Sequence, residues 1–444
     1  MVSGDGRSCP ASFVISVILK TMSMKKNDLF VGTVLLLGLT ACHHQASTTS
    51  EAWIDNVEEV AVYQLLSTAN ELADSMKMPR TAWAGYELPF LEEQLEHKVN
   101  IDSIHPNPAK ALLGKIRLCP VSDWTSGFFP GSLWYAYELT GNDSLKMQAI
   151  RFTNKLNDVR YMKNTHDVGF MVNCSYGNAL RLAPNDTIKQ LLVETADNLC
   201  SRFDSTIGCI RSWDFGTWHF PVIIDNMMNL ELLFNVSKLT GDMKYADIAA
   251  RHARTTMANH FRSDYTCYHV VSYKADGTVE HKQTFQGKAD DSSWARGQGW
   301  AVYGYTLCYK EVKDTAFLQQ AVHIADMIMR RTTTTDAVPY WDFDAPVKED
   351  TPRDASAAAV IASAFLDLST LVPDGDKYFA HAEKILKSLS GQDYLAVKGN
   401  NAGFILKHST GSLPHGSEID VPLNYADYYY LEALNKYVKM KNEK

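Results

Sequence analysis

An aspartate stands at the start of the most apolar helical stretch of the chain. Asp225 precedes residues 226–239, where apolar residues leave almost no polar face. A helix that is apolar on all sides is buried in protein, so the carboxyl at its first turn is expected to lie away from bulk water. Burial beside aromatic rings such as Trp213 and Trp218 disfavours the charged form of a carboxyl, as a proton donor near neutral pH requires. The alternative interpretation is that Asp225 only caps the helix.

Aromatic, basic and acidic residues also stand in short segments that precede other apolar helices. They are Trp124, His166, Asp167, Asp290, Asp291, Arg296 and Trp300. Aromatic faces stack on sugar rings, carboxylates accept hydrogen bonds from hydroxyls, and an arginine can hold a carboxylate through two hydrogen bonds. Taken singly, the histidines and tryptophans could instead be core residues, and Arg296 could form a structural ion pair. If the segments meet, they form a site for a sugar.

The elements that must position these residues are predicted to be helices of two kinds. Half-exposed helices, with an apolar stripe on one face, are expected at residues 245–257, 318–330 and 378–389. Fully apolar ones are expected at residues 131–139, 226–239, 300–309, 356–368 and 425–434. Their alternation along the chain is typical of helical hairpins.

Two short repeats support a periodic architecture. The sequence LTGN at 139–142 recurs as LTGD at 239–242, a helix end with glycine, and WDF at 213–215 recurs at 341–343. Loops that open inner helices are expected near Gly127, Gly177, Asn226, Gly297, Ser356 and Asn424. Hairpins closed in a ring bury every inner helix. The predicted fold is therefore all-α, an (α/α)6 toroid of six hairpins, with an open solenoid as the alternative.

One segment predicts strands. Residues 266–285 contain β-branched and aromatic runs on both sides of a turn at 275–277, which indicates a β-hairpin at one end of the ring. His269 and Gln286 could then cover a pocket. Because loops entering the inner helices share one end of a ring, the candidate residues are expected to converge there.

The amino-terminal region reads as a targeting segment. Two lysines at 25–26 precede an apolar run at 29–39, and residues 39–42 form a lipobox that ends at Cys42. The run is shorter than the roughly 20 residues of a transmembrane helix. We expect a leader and signal peptide at residues 1–42, a linker at 43–52 and a single domain at 53–444. The protein would then be an exported bacterial lipoprotein, periplasmic or outer-membrane associated, and held to the membrane only by a lipid on Cys42.

Composition excludes several classes of partner. The formal net charge of −8 argues against nucleic acid. Six further cysteines, without CxxC or regular spacing, are expected to be small buried hydrophobic residues that form neither a disulfide framework nor a zinc site. No metal or cofactor is expected, and no feature of the sequence predicts an oligomeric state.

Five motifs resemble those of the unsaturated glucuronyl hydrolases of glycoside hydrolase family 88. They are WTSGFFPG at 124–131, HDVGF at 166–170, IIDNMMN at 223–229, SSWARGQGW at 292–300 and DYYYLEAL at 427–434. The resemblance implies an enzyme that removes the 4,5-unsaturated uronic acid left by polysaccharide lyases at the non-reducing end of glycosaminoglycan or similar oligosaccharides. It also implies that the C4=C5 vinyl ether is hydrated, unlike ordinary glycoside hydrolysis.

The same resemblance assigns roles to the two catalytic candidates. Asp225 would donate a proton to C4 and then help water add at C5, after which the hemiketal opens and releases the remaining sugar. Asp167 would hold sugar hydroxyls and keep Asp225 protonated.

The resemblance also assigns substrate contacts. The residues implied are Trp124 and Trp300 for stacking, Arg296 and Gln286 for the uronate carboxylate, and His166, His219, His269 and Trp213 for the pocket lining. Ser409 and Ser412 lie in a loop where relatives bind a sulfated or acetylated second sugar, although such serines also make turns. Phe285 stands where many relatives carry histidine, which leaves the pocket's charge and its sulfate preference open.

Three alternatives to this function are considered. An unsaturated rhamnogalacturonyl hydrolase acting on pectin fragments shares the fold and the chemistry. An epimerase on the same toroid would leave no cleavage product, and a non-catalytic glycan-binding lipoprotein would need no acids. The two acids that precede inner helices favour hydrolysis.

Overall fold

The computed structural model describes residues 51–83 and 110–443, and within them helices alternate between an inner and an outer position. The inner helices are α2 (Phe128–Thr140), α4 (Val168–Val172) with α5 (Asn178–Leu182), α7 (Asn226–Thr240), α9 (Ala295–Val312), α11 (Ala355–Ser369) and α13 (Asn424–Asn442). The outer helices are α1 (Ala52–Glu71), α3 (Asp143–Asn154), α6 (Asp186–Cys200), α8 (Met243–Asn259), α10 (Thr315–Arg331) and α12 (Asp376–Leu389).

The inner helices form a closed ring. In the described part of the chain, α4 packs against α7, α7 against α9, α9 against α11, and α11 against α13. Helix α13 then packs against α2, which contacts the turn that joins α4 to α5. The (α/α)6 toroid is confirmed, because an open solenoid would leave the first and last inner helices apart.

Helix α1 supplies an outer position next to the last inner helix. It packs on α2 and α3, and the Trp53 ring lies 5.6 Å from that of Tyr437 in α13. The Tyr437 hydroxyl also donates to Glu51 Oε1 at 3.1 Å. The first and last described helices are therefore joined side by side.

The LTGN and LTGD repeats end one helix and begin the next, as predicted for their glycines. Gly141 ends α2 in the left-handed region with a φ of 67°, and Asn142 Oδ1 accepts from the Ser144 N–H at 2.9 Å to begin α3. Gly241, with a φ of 77°, and Asp242 do the same between α7 and α8. Both WDF copies lie in loops that lead from an outer helix to an inner one.

The predicted start of the second inner helix near Gly177 is wrong. The helix begins at Val168 and continues through a π turn, Asn173–Gly177, into α5. A Cβ on Gly177 would lie 2.8 Å from Asn173 Oδ1, so this glycine serves a close approach inside a helix and does not mark a loop.

Two small sheets have two strands each. Strands β1 (Met78–Ala82) and β2 (Ile116–Cys119) pair, as do β3 (Phe203–Asp204) and β4 (Cys209–Ile210).

The predicted β-hairpin is confirmed as β6 (Val270–Tyr273) and β7 (Val279–Gln283), and a third strand, β5 (Pro221–Ile223), pairs with it. The three strands form an antiparallel sheet in the order β5, β6, β7. The sequence did not predict β5, which leads directly to Asp225. The Ile224 N–H donates to the His269 carbonyl at 3.0 Å, so this sheet fixes His269 beside Asp225.

All six described cysteines are free thiols, and five of them are buried, as predicted. Across residues 51–83 and 110–443, no helix has the length and apolar character needed to cross a membrane. The predicted leader, the lipobox and residues 43–50 of the linker lie outside the described residues.

Candidate active site

A cavity of about 310 Å³ opens at the end of the ring where the inner helices begin. Its volume is at the lower end of the range of small-molecule sites, roughly 300–1,000 Å³. It is lined by Arg80, Trp124, Asp167, Trp213, Phe215, Ile223, Asp225, Phe285, Gln286, Gly411, Ser412, His415, Ser417, Glu418 and Tyr425. The loops entering the inner helices therefore converge as the ring architecture predicts.

Asp225 occupies the junction between β5 and α7. Its side chain makes no capping hydrogen bond to the helix, which argues against the helix cap as its role. The residue is 7% exposed and lines the cavity. Oδ2 lies 3.5 Å from His269 Nε2 and accepts no hydrogen bond from the described residues. Oδ2 is buried, so Oδ1 is the oxygen of this carboxyl that a ligand in the cavity can reach.

His269 presents an N–H to Asp225. Its Nδ1 accepts two backbone hydrogen bonds, from the Phe285 N–H at 3.0 Å and the Gln286 N–H at 3.2 Å. Because both of these groups can only donate, Nδ1 carries no proton and the ring proton lies on Nε2. The imidazole is thereby fixed in one tautomer by the segment that follows β7.

His166 presents an N–H to Asp167 in the same way. The Phe170 N–H donates to Asn229 Oδ1 at 2.8 Å, which fixes the amide so that Nδ2 donates to His166 Nδ1 at 3.1 Å. His166 Nε2 then faces Asp167 Oδ1 at 3.3 Å. The Thr165 hydroxyl donates to Asp167 Oδ2 at 2.9 Å, so the Asp167 side chain is held by one hydrogen bond and by its contact with His166.

Burial controls the protonation of this second pair. Burial raises the pKa of Asp167, and the charge of Asp225 raises it further, against the lowering effects of His166 and Thr165. Burial lowers the pKa of His166 although both carboxylates oppose this. His166 is therefore uncharged at neutral pH, and Asp167 keeps a proton to a higher pH than an exposed aspartate does.

Most of the candidate residues are brought together. Trp124, Asp167, Trp213, Asp225, Gln286 and Ser412 line the cavity, and His166 and His269 lie directly behind the carboxylates. The Trp124 ring is held by Tyr425, with centroids 5.0 Å apart. Ser412 Oγ lies 2.6 Å from His415 Nδ1. Gln286 Nε2 donates to the Gly411 carbonyl at 3.1 Å.

The predicted contact of Arg296 with a bound carboxylate requires correction. Arg296 is 1% exposed and does not line the cavity. Its Nη1 donates to Asp354 Oδ2 and to the Thr410 carbonyl, each at 2.7 Å, and Nη2 donates to the Gly411 carbonyl at 2.6 Å. The guanidinium lies behind the cavity lining, where it holds the loop that contains Thr410 and Gly411. Gly411 forms part of the lining.

Trp300 and His219 also lie away from the cavity. Trp300 is fully buried in α9, with the rings of Phe170 and Tyr429 each 5.4 Å away, so it is a core residue and not a stacking platform. The His219 side chain is 74% exposed, and its Nδ1 lies 2.8 Å from Glu280 Oε2. It belongs to the outer surface of the sheet.

Ser409 cannot contact a ligand in this arrangement. It is fully buried, and its backbone pairs with Val421 through two hydrogen bonds. Ser412, three residues further along, is the serine of this loop that reaches the cavity.

Several lining residues were not predicted, and Arg80 is the clearest case. It stands on β1, and its guanidinium binds Glu418 and Asp123, with Nη1 2.6 Å from Asp123 Oδ2. No motif surrounds it, since only the packing of β1 against the ring brings it to the pocket. Phe215 is the residue that follows the WD of the first repeat, which is the signal that could have located it.

Comparisons with known proteins agree on one family. The sequence profile of Glycosyl Hydrolase Family 88 matches residues 100–440. An unsaturated glucuronyl hydrolase of Formosa agariphila is 46% identical over 322 residues, which covers 71% of this chain and 80% of that protein. An unsaturated chondroitin disaccharide hydrolase of Streptococcus pneumoniae is 31% identical over 363 residues, with coverage of 79% and 88%.

Solved structures give the same picture. An unsaturated glucuronyl hydrolase described as specific for heparin matches with a TM-score of 0.79 and 48% sequence identity, and the match covers 88% of this chain and 98% of that one. A glycosaminoglycan-degrading unsaturated glucuronyl hydrolase from Bacillus sp. GL1 matches with a TM-score of 0.74 and 26% identity, covering 85% of this chain and 96% of that one.

Proposed function

The chain belongs to glycoside hydrolase family 88, and we propose that it removes 4,5-unsaturated uronic acid from the non-reducing end of glycosaminoglycan oligosaccharides made by lyases. It is an unsaturated glucuronyl hydrolase. The observation that carries the proposal is the pair of carboxyls, Asp167 and Asp225, that line one aromatic pocket, each facing the Nε2–H of a tautomer-fixed histidine. The relatives favour this activity over pectin hydrolysis, epimerisation or binding alone.

In the proposed reaction, Asp225 acts on the vinyl ether of the unsaturated sugar. Its carboxyl gives a proton to C4, and the C4=C5 electron pair forms the new C–H bond. The cation left at C5 is stabilised by the ring oxygen. Water then adds at C5 and returns a proton to the Asp225 carboxylate. The resulting hemiketal opens at the bond between C5 and the ring oxygen, and C1 expels the leaving sugar as an alcohol.

The two histidines act as positioning residues. The Nε2–H of His269 faces the Asp225 carboxyl, so it stabilises the carboxylate that remains after proton transfer. His166 faces Asp167 and holds its carboxyl in place beside the substrate. Gln286 has a second amide hydrogen free for the uronate carboxylate, because its bond to Gly411 uses only one.

The test of this function offers lyase-generated unsaturated disaccharides from heparin, chondroitin and pectin side by side. Loss of the ultraviolet absorbance of the unsaturated uronate reports turnover. We expect turnover of glycosaminoglycan disaccharides, with heparin-derived ones preferred because a 48% identical relative is described as specific for heparin. Turnover of pectin fragments alone would contradict the proposal.

The role of Asp225 is tested by Asp225→Asn, which keeps the shape and removes the transferable proton. We expect turnover to fall about 100- to 10,000-fold, the usual contribution of a placed proton donor, while affinity for the disaccharide is largely kept. Asp186→Asn, at an exposed position on outer helix α6, is the control and should have wild-type activity. Full turnover by Asp225→Asn would show that the assigned role is wrong.

We also propose that the protein is exported and lipidated at Cys42, on the support of the lipobox in its sequence. Expression in a bacterium with labelled palmitate should label the wild-type protein and place it in the membrane fraction. Cys42→Ala should be unlabelled. Equal labelling of both proteins would contradict the proposal.

A further inference from the structure

One side of the pocket is a wall of three aromatic rings, Trp213, Phe215 and Phe285, which we call the aromatic wall. Phe215 stacks on Trp213 with centroids 4.7 Å apart and planes at 27°. Phe285 lies 5.4 Å from Trp213 and 5.7 Å from Phe215. Two separate segments supply these rings, one before β5 and one after β7, so their meeting in the pocket is a product of the fold.

The aromatic wall runs outward from the reacting carboxyl. The His269 ring, which faces Asp225, meets Trp213 edge to face at 6.2 Å. Trp213 is 8% exposed, Phe285 is half-buried and Phe215 is 52% exposed. Exposure therefore rises from Trp213 to Phe215, and the outer two rings, Phe285 and Phe215, can be reached by the part of an oligosaccharide that extends out of the pocket.

The Phe215 side chain is unusually exposed for an aromatic residue of this protein. It is the most exposed phenylalanine or tryptophan among the described residues. Leaving so large an apolar side chain in water forgoes roughly 1.5–3 kcal/mol of burial. A ring that is exposed, held flat by a stacked neighbour and placed on the wall of a binding pocket is suited to contact a ligand.

We propose that Phe215 and Phe285 bind the leaving sugar of the substrate by stacking on the apolar C–H face of its pyranose ring. This inference rests on the proposed function, since only an oligosaccharide substrate has a leaving sugar. Trp213 contacts the unsaturated uronate itself, and the two outer rings contact the sugar that is released. Their contribution is to specificity and not to the proton transfer.

The test uses two substrates that share the unsaturated uronate and differ in the leaving group. One is an unsaturated disaccharide with N-acetylglucosamine as the leaving sugar, and the other is the methyl glycoside of the unsaturated uronate. The variants are Phe215→Leu and Phe285→Leu, which stay apolar but lose the flat face. Each should lower kcat/KM for the disaccharide by about 10-fold, as the loss of one aromatic contact predicts, and that for the methyl glycoside by less than about 2-fold.

The exposure of Phe215 makes its variant safe for folding, and Tyr161→Leu, at a 60% exposed position that does not line the pocket, is the control. An equal loss on both substrates, or no loss on the disaccharide, would overturn the inference while the proposed function stands. Failure of the wild-type protein to act on either substrate would overturn both.

Discussion

Two carboxyls in one pocket differ in how tightly the protein holds them. Each carboxyl faces a histidine Nε2, at 3.3 Å for Asp167 and 3.5 Å for Asp225. Asp167 also accepts a hydrogen bond from the Thr165 hydroxyl, whereas Oδ2 of Asp225 accepts none from the described residues. A group that must move a proton to a substrate needs a free oxygen, and a group that tunes its neighbour needs a fixed place. The geometry thus divides the roles between two residues of the same chemical type.

The raised pKa of Asp167 makes a prediction about stability. A carboxyl whose pKa is raised by folding adds stability below its unfolded pKa, and this stability is lost as pH rises through the folded value. Asp167→Asn cannot ionise. Its Tm should therefore exceed that of the wild-type protein at pH 8, and the difference should shrink toward pH 3. Thermal melts across this range measure it.

The same variant bears on activity. Asp167 can lose its proton and the variant side chain cannot, so the part of the pH dependence of kcat/KM that is due to ionisation of Asp167 should be absent from the profile of the variant. Glu349→Gln, at an exposed position, should change neither the melting curve nor the profile. A Tm difference for Asp167→Asn that is the same at every pH would show that the effect is not due to its charge.

The residues that sequence reasoning found and missed differ in one respect. Asp225 was predicted because it directly precedes an inner helix, and Asp167 because it lies in the HDVGF motif. Arg296 and Trp300 lie within the first turns of α9, where side-chain direction decides whether a residue faces the pocket or the core. Arg80 depends on a strand whose packing no local pattern reveals.

At the scale of elements, a glycine lets α4 approach α7 closely enough to orient His166, a positioning residue of the site. A Cβ on Gly169 would lie 2.5 Å from Asn229 Oδ1 and 2.7 Å from its Cα. Asn229 in turn orients His166. The glycine of the HDVGF motif is therefore a spacing requirement between two inner helices.

Gly169→Ala should separate these helices and disturb the hydrogen bond to His166. We expect a loss of about 1–3 kcal/mol in the free energy of unfolding, as for other overpacked sites, together with a fall in kcat. Gly299→Ala is the matched control, because its Cβ would meet Val360 at an ordinary 3.4 Å. Denaturant unfolding and steady-state kinetics measure both. Wild-type values for Gly169→Ala would refute the spacing argument.

A half-buried glutamate on α7 provides a second element-scale prediction. Burial and then the charge of Glu432 on α13 raise the pKa of Glu231 to about 7. As argued for Asp167, a carboxyl whose pKa is raised by folding stabilises the protein below its ordinary pKa. For Glu231 this stabilisation is lost as pH rises through about 7. Glu231→Gln should therefore be more stable than wild type at pH 8, by about 1–2 kcal/mol since the residue is partly exposed.

At pH 4 that advantage should be absent. Exposed Glu349→Gln should match the wild-type protein at both pH values in denaturant unfolding. Greater stability of Glu231→Gln at pH 4 than at pH 8 would contradict the argument.

Helix positions and ends were the most predictable elements, because periodicity and the glycine stops act locally. Strand β5 was not, since its partner β6 is distant in sequence. The π turn after α4 was not either, because Gly177 looks like a loop signal in the sequence, whereas the structure uses it for a close approach within the helix.

At the scale of the whole molecule, the closed ring gathers loops from every hairpin at one end, and the charge of the resulting pocket limits what it accepts. Three acidic residues line it, namely Asp167, Asp225 and Glu418. Among the described lining residues, Arg80 is the one arginine or lysine, and it is already bound by Asp123 and Glu418.

A sulfated leaving sugar should therefore be disfavoured. We expect kcat/KM for an unsulfated heparin disaccharide to exceed that for its 6-O-sulfated counterpart by about 10-fold or more, the effect of one uncompensated charge near 1.4 kcal/mol. The gap should narrow as salt is raised, because screening weakens repulsion. Preference for the sulfated substrate would indicate a cation that the pocket geometry does not provide.

The central claim is that Asp225 protonates C4 of an alkene and that cleavage follows hydration. The most direct measurement is to run the reaction in D₂O and follow C4 by NMR while the leaving sugar is quantified. Our account predicts that deuterium arrives at one face of C4 and that alkene loss keeps pace with sugar release, with both abolished in Asp225→Asn. Release of the leaving sugar while the C4=C5 bond stays intact would contradict it.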